Sequence, residues 1–424
     1  MMFKTNHADA RGLGRHARGA AGVLALVALA GCDSLLGVSN PGSVEATDLE
    51  NPALAETLVN SALGAFECAY TSYVVSVGML GQELRDSSNW ANLNGWGQRG
   101  LQLQTIIGSC PSARNASSLG AYAPLQQARY LGEDGTRLIE SFPSGSVPGA
   151  SEKLGLLASY TGYSTLLLGE GFCEMAFDQG PLQTRDEVFQ RAEDRFNSAI
   201  AHAESAGNTQ LRLLAVAGRA RARLNLGNLA GAASDAEQIP QGFVWNAEYA
   251  AVDGSRENRI FNMNRANRFA SAEPGAYADL MLGEIPDPRV PISNSGLVGH
   301  DNTTPHWFQD KYSSAASPIP MASWEEAQLI LAEARPSEAV VAINRLRSSQ
   351  GLPLLDTDGS VATLDLVLEE RRRQLFLEGH RLNDMLRHDL PFPTGENHKG
   401  QAWGPITCMP LPDQERLNNP NIPG

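Results

Sequence analysis

Few residues in this chain have the type and spacing that covalent chemistry requires. No GxSxG, HExxH or GxxxxGK[ST] pattern occurs, so a nucleophile elbow, a zinc-protease helix and a phosphate loop are not encoded locally. Glu325–Glu326 and Glu369–Glu370 are acid pairs. Neighbouring side chains on a helix diverge, however, and glycoside hydrolysis needs carboxylates about 5–9 Å apart across a cleft. His300, Asp301 and His306 have ligand chemistry, but histidines in a polar loop are ordinarily solvated, and no CxxC spacing marks a zinc site. Neither a metal nor a cofactor is expected, no residue is assigned a catalytic role, and the expectation is a binding protein, not an enzyme. Stacking chemistry is better represented. Trp90 and Trp96 lie in a stretch, 81–108, rich in Gly, Asn and Ser. A loop of that length is ordinarily functional or disordered, and tryptophans argue against disorder. Such rings stack on sugars or grip peptides; the plainer alternative is that they pin the loop to the core.

The elements that would position these residues read as helices. Over 51–77, Leu54, Leu58, Ala62, Ala65 and Phe66 share one face. A second apolar helix covers 153–172 and ends at Gly169–Glu170–Gly171. The next, 184–206, opens with the capping box Thr184–Arg185–Asp186–Glu187 and carries Val188, Ala192, Phe196, Ala199 and Ile200 on one face. Helices over 211–226 and 229–239 follow, closed by Pro240. Their small residues Ala220, Gly227, Ala232 and Ala236 are similar to a degenerate tetratricopeptide repeat, in which paired helices approach closely. A second box, Ser323–Trp324–Glu325–Glu326, opens a helix that ends before Pro336. Ser337 is the expected cap for 338–349, closed by Gly351.

The stretch 364–387, LDLVLEERRRQLFLEGHRLNDMLR, is read as one helix with N-cap Thr363 and stop Pro391. Leu364, Val367, Leu368, Leu375, Leu382, Met385 and Leu386 recur at helical spacing. Gly379 then falls mid-helix at a cost of about 1 kcal/mol against Ala. Glu378–Arg381 and Asp384–Arg387 are i,i+3 pairs worth a few tenths of a kcal/mol if exposed. By composition alone this is a solvated, salt-bridged helix. Its pattern, however, with Glu370–Arg371, Leu375, Glu378–Gly379, Arg381, Asp384 and Arg387, resembles the signature of the SusD/RagB family of lipid-anchored nutrient-binding proteins of bacterial outer membranes. The flanks agree. Upstream run Glu326 to Ala334, Ala342 to Arg347 and Gly351–Leu352–Pro353; downstream come Pro410–Leu411–Pro412, Glu415, Asn418 and Asn421–Ile422–Pro423–Gly424. The resemblance is strong over 319–424, weaker in the middle and faint before Ser151. Its motif residues are scaffold, not ligand contacts.

The N-terminus reads as a targeting segment. Lys4, Arg11, Arg15 and Arg18 precede an apolar run, 20–30, too short to span a membrane, which takes about 20 residues. Leu29–Ala30–Gly31–Cys32 resembles a lipobox, in which the Cys32 thiol takes the lipid. Residues 1–31 are therefore the expected signal peptide, 32–50 a lipid-anchored tether, and 51–424 a single domain. Nothing later is read as apolar enough to span a membrane, which leaves the lipid as sole anchor. Asp33 directly follows; an Asp there retains some enteric lipoproteins at the inner membrane, and no acidic export run is present. Apart from Cys32, four cysteines remain, an even number in an exported chain. Three connectivities are possible. Cys68–Cys110 and Cys173–Cys408 is favoured, because it staples the first helix to the loop after it and a central helix end to the tail. A net charge of −14 and a pI near 5.1 exclude the basic footprint of a nucleic-acid binder.

The resemblance implies a mostly α fold: a tetratricopeptide-like helical scaffold with long irregular loop inserts, the repeats at about 150–240 and 320–390 and an insert at about 242–317. It also implies an outer-membrane, lipid-anchored protein facing the cell exterior. Such a protein binds an oligomeric nutrient, glycan or peptide, and delivers it to a SusC-like TonB-dependent β-barrel transporter. Inserted loops build much of the family's binding face. The insert's aromatic residues Trp307, Phe308 and Tyr312 therefore join Trp90 and Trp96 as candidate ligand contacts, with a packing cluster beneath the loops as the alternative. The rival reading is a periplasm-facing tetratricopeptide-type lipoprotein that scaffolds other proteins.

Overall fold

A computed structural model describes residues 50–104, 106–110, 114–356 and 363–422. The signal peptide 1–31, Cys32 and the tether as far as residue 49 lie outside the described residues. The first long helix, α1 (Ala55–Leu80), runs through the centre of the core, with Phe66, Tyr70, Tyr73, Val74 and Leu80 buried. Contrary to expectation, the segment Pro52–Leu80 is long and apolar enough to cross a membrane, but 83% of its apolar window lies inside the protein. Its composition reflects burial on all sides.

After α1 come β1 (Leu84–Asp86), the short α2 (Ala91–Gly97) and α3 (Tyr122–Ser141). The stretch 81–108 is thus partly regular, not a plain loop. The repeat scaffold follows as α4 (Ala150–Gly171), α5 (Arg185–Ala206), α6 (Thr209–Asn225) and α7 (Leu229–Ala236), each packed on its chain neighbour. The Thr184 capping box closes both ways: its hydroxyl accepts from the Glu187 N–H, and the Glu187 carboxylate accepts from the Thr184 N–H. Close approach is set by glycine. The Phe196 ring lies where a Cβ on Gly162 or Gly218 would come within 2.7 and 2.3 Å of it. Gly227, by contrast, is a turn residue at φ +72° with open space around it, not a packing contact.

The insert is less irregular than its composition implies. It supplies β2 (Val244–Ala247), β3 (Ala270–Ala272), β4 (Met281–Leu282), β5 (Ile285–Pro286), β6 (Ile292–Val298) and β7 (Pro305–Gln309), and β8 (Ile319–Ser323) follows. These pair antiparallel in twos: β1 with β3, β2 with β8, β4 with β5 and β6 with β7. The chain then returns to helices: α8 (Trp324–Ala334), α9 (Ala339–Ser349), α10 (Leu364–Gln374), α11 (Arg381–Arg387) and α12 (Asp413–Asn418). Ser323 caps α8 through the Glu326 N–H, but the Glu326 carboxylate turns inward toward Arg221 at 3.7 Å. Ser337 sits in a 3₁₀ turn, Pro336–Glu338, and Glu338 takes the cap position of α9 without a side-chain bond. Disulfides join Cys68 to Cys110 and Cys173 to Cys408.

The largest correction concerns 364–387, which is two helices, not one. Helix α10 stops at Gln374 and α11 begins at Arg381. Between them Leu377 has φ +55° and Gly379 φ +84°, so Gly379 is a turn residue where L side chains are strained. The charges are buried, not solvated. Glu370 accepts from Arg347 and, at 2.7 Å, from Arg289. Arg371 grips Asp384 through two 2.9 Å bonds, and Arg387 bridges Asp384 and Glu333. Glu378 pairs with Lys311 at 2.6 Å, not with Arg381. The turn itself is tied from every side. Leu377 N–H donates to Glu83 at 2.7 Å. Tyr312 and Tyr70 hydroxyls donate to the Leu377 and Glu378 carbonyls, and Lys311 reaches the Phe376 carbonyl. The motif therefore ties α1, the insert and the C-terminal helices into one core.

Candidate functional site

A candidate ligand surface is built by three chain segments. At the end of β1, the Asp86 carboxylate accepts from both the N–H and the hydroxyl of Ser88. This local turn competes with strand continuation and sends the chain outward. Trp90 follows as the residue before α2 and is 43% exposed. Its ring is supported from beneath by the edge of Phe269, centroids 6.3 Å apart at 76°. Phe269 immediately precedes β3, whose pairing with β1 matches Asp86 to Ala270.

The third segment is the turn joining β6 to β7. Its His300 N–H donates to the Arg268 carbonyl, and its Asp301 N–H donates to the Ser87 carbonyl. The exposed His300 ring comes within 6.5 Å of Trp90 and hydrogen-bonds through Nδ1 to Asn89 at 3.1 Å. Lys399 locks the frame: its Nζ lies 2.7 Å from Asp86 and 3.1 Å from Asp301. Burial opposes ionisation of Asp301, but hydrogen bonds from the Thr304 hydroxyl and the Thr303 and Thr304 amides outweigh it and hold the carboxyl well below the usual range. A cleft of about 450 Å³ lies alongside, lined by Arg85, Asp301, Thr303, Pro305, His398 and Lys399.

The surface therefore offers one aromatic face amid fixed polar groups, an arrangement that suits a ligand with an apolar ring face and a hydroxylated rim. The candidate rings distribute unequally. Trp90 is presented to solvent. Trp307 and Phe308 are half-buried on β7, opposite Asn294 and Ser293, and one face of Phe308 is covered by the Arg265 guanidinium at 4.5 Å. Trp96 and Tyr312 are core residues, contrary to their assignment as ligand contacts. Trp96 has no exposed surface, and Tyr312 is 2% exposed with its hydroxyl spent on Leu377. His306, raised as a ligand with His300, is enclosed between Ser87 and the Asn264 carbonyl. Burial pushes its imidazole down to about 4. Among the described residues no group of three or more His, Cys, Asp or Glu is arranged to hold a metal ion. Asn89, Arg268 and Phe269 complete the surface, yet no motif marks them; only Trp90 in its Gly-, Asn- and Ser-rich stretch pointed to the place.

Residues 326–422, which contain the buried turn and its ion pairs, match the model of the SusD family. Over this C-terminal stretch the chain is similar to the SusD family. No curated protein sequence matches it. Solved SusD-like structures share its fold. A SusD-like carbohydrate binding protein from Bacteroides vulgatus superposes with a TM-score of 0.63 at 13% identity, covering 88% of this chain and 97% of its own. A SusD superfamily protein from Bacteroides fragilis gives 0.65 at 12%, covering 88% and 99%. Surface glycan-binding protein A from Bacteroides thetaiotaomicron, solved in complex with laminarihexaose, gives 0.62 at 12%, covering 86% and 98%. The matched region holds the frame of buried ions, whereas the Trp90 surface lies outside it except for Lys399 and His398.

Proposed function

We propose that this protein is an outer-membrane lipoprotein, anchored through Cys32 and facing the cell exterior, that binds an oligomeric glycan at the Trp90 surface. It then delivers the glycan to a SusC-like TonB-dependent β-barrel transporter. The exposed indole of Trp90, held edge-on by Phe269 among Asn89, His300 and Asp301, carries this reading. A pyranose ring has an axial C–H face that packs on an indole, and its equatorial hydroxyls reach the polar rim; such a contact contributes about 0.5–1.5 kcal/mol beyond burial. The names of two structural relatives, a laminarin binding SusD-like protein and the laminarihexaose complex, favour a glycan over a peptide. Trp307 stands half-buried on β7, whose neighbour in the chain is the His300 turn, and is proposed as a secondary contact.

Binding without cleavage is supported by the carboxylates of this surface. Asp86 and Asp301 both bond Lys399, and Asp301 also accepts three bonds from Thr303 and Thr304. Neither carboxylate is left free to serve as a general acid. The test pairs a glycan array on purified protein with a mild-detergent pull-down from native outer membranes. Glycan retention that Trp90→Ala lowers by about 2- to 10-fold, with a co-purifying β-barrel, is expected. Recovery with soluble periplasmic partners and no glycan retention would favour the scaffolding role instead.

A further inference from the structure

We propose that the glycan taken at the Trp90 surface is acidic, carrying a ring carboxylate that pairs with Arg268 while the adjoining sugar stacks on Trp90. This rests on the glycan-binding reading and narrows it to a substrate class. Arg268 precedes Phe269, the ring that supports Trp90. Its carbonyl receives the His300 N–H at 3.0 Å, and its Nη1 donates to the Val298 carbonyl at 3.0 Å, so the guanidinium lies along the segment that carries His300. The other charged groups of the surface are matched: Lys399 is shared by Asp86 and Asp301, and Arg85 faces Glu273 at 3.7 Å. No carboxylate lies within ion-pair distance of Arg268 among the described residues. Its half-buried side chain keeps donors free beyond the single bond to Val298.

Two further observations point the same way. Arg268 holds φ +53°, a left-handed conformation costly for a residue with a Cβ. The positive charge is also felt by buried His306, whose imidazole burial, Arg268 and Arg85 together push down, against the hydrogen bond with Asn264. A guanidinium fork recognises a planar carboxylate by two parallel hydrogen bonds. A neutral sugar needs no such group. The net charge of −14 does not forbid a polyanion, because at physiological salt charges beyond about 8 Å are largely screened and the nearest cation dominates.

The experiment measures binding of oligogalacturonate, alginate oligomers and glucuronoxylan, each beside its carboxyl-reduced neutral counterpart, to the full exported chain by calorimetry. At least one acidic glycan is expected to bind 10-fold or more tighter than its reduced form. Arg268→Gln should erase that margin, bringing the acidic glycan and its reduced form to the same affinity, and Arg268→Lys should restore part of it. Raised salt should shrink the margin in the wild type only. A neutral glycan bound as tightly as its acidic parent, with Arg268→Gln indifferent, overturns the acidic assignment and leaves the glycan reading standing. Retention of no glycan, acidic or neutral, removes both.

Discussion

Replacing Gly379 by Ala separates two pictures of the family motif by the sign of its effect. If 364–387 were one continuous helix, Ala would be the better residue and the substitution would stabilise the protein by about 1 kcal/mol. In the structure Gly379 lies between α10 and α11 at φ +84°. An L residue there costs about 1–2 kcal/mol in backbone conformation. The added methyl would also stand 3.1 Å from Tyr73 Cε1, 3.3 Å from its Cδ1 and 3.4 Å from Val74 Cγ2. Tyr73 is fully buried, so its ring has little room to yield, and overpacking of this kind costs about 1–3 kcal/mol. The expected loss is therefore about 2–5 kcal/mol. Urea unfolding, with the slope compared to confirm that both chains expose the same surface, measures it directly. A variant as stable as the wild type, or more so, would refute the turn and reinstate the helix.

Other perturbations test the buried charges and the corrected rings. Glu83 is fully buried, and burial raises its carboxyl to about 7 from 4.5. Between those values the folded chain keeps a proton that the unfolded chain has released, so stability falls as pH rises across that window, by about 3 kcal/mol in all. Glu83→Gln should match the wild type near pH 4 and exceed it at pH 8 in urea midpoint; identical pH profiles would rule this out. Glu370→Gln leaves Arg289 and Arg347 without their shared carboxylate in a buried site. A loss of about 3–5 kcal/mol is expected, whereas a loss under 1 kcal/mol, the range of exposed pairs, would return the motif charges to the surface. Trp96→Ala should cost about 3–5 kcal/mol as a core cavity and spare the glycan affinity of the folded fraction; lost affinity at unchanged stability would put the ring back in the site.

Much of the fold could be read from the chain because its signals are local. The reciprocal cap at Thr184, the apolar faces of α5 and α6 and the stop at Pro240 are each settled within a few residues, and the structure keeps them. The misses come from contacts made at a distance. Helix α3 carries Pro124 in its first turn and Gly132 and Gly135 in its interior, which lower its intrinsic propensity. Those glycines admit Thr161 and Leu157 of α4, a gain that no local window registers. The same holds for 364–387. Apolar spacing carries across the break because the two helices bury their faces in the same core, and only the positive φ at Leu377 and Gly379 ends the first. Charge runs mislead for a related reason. Arg289, Lys311, Glu333 and Arg347 come from four other places in the chain to meet the motif's ions.

The binding surface shows how fine the missing information is. Trp90 and Trp96 sit six residues apart in one polar stretch, and nothing in their type distinguishes a ligand platform from a core residue. What separates them is the seven-residue helix α2. Trp90 precedes its first turn, where the Asp86–Ser88 bonds have swung the chain outward. Trp96 lies three positions after Leu93, so both fall on one helical face and both are fully buried. That i,i+3 spacing was present in the sequence but too short to outweigh Gly, Asn and Ser around it. The neighbours of Trp90 are harder still, because Phe269, His300 and Lys399 arrive through strand pairing and two long returns of the chain. The recognisable motif and most of the candidate ligand surface therefore occupy different parts of the chain.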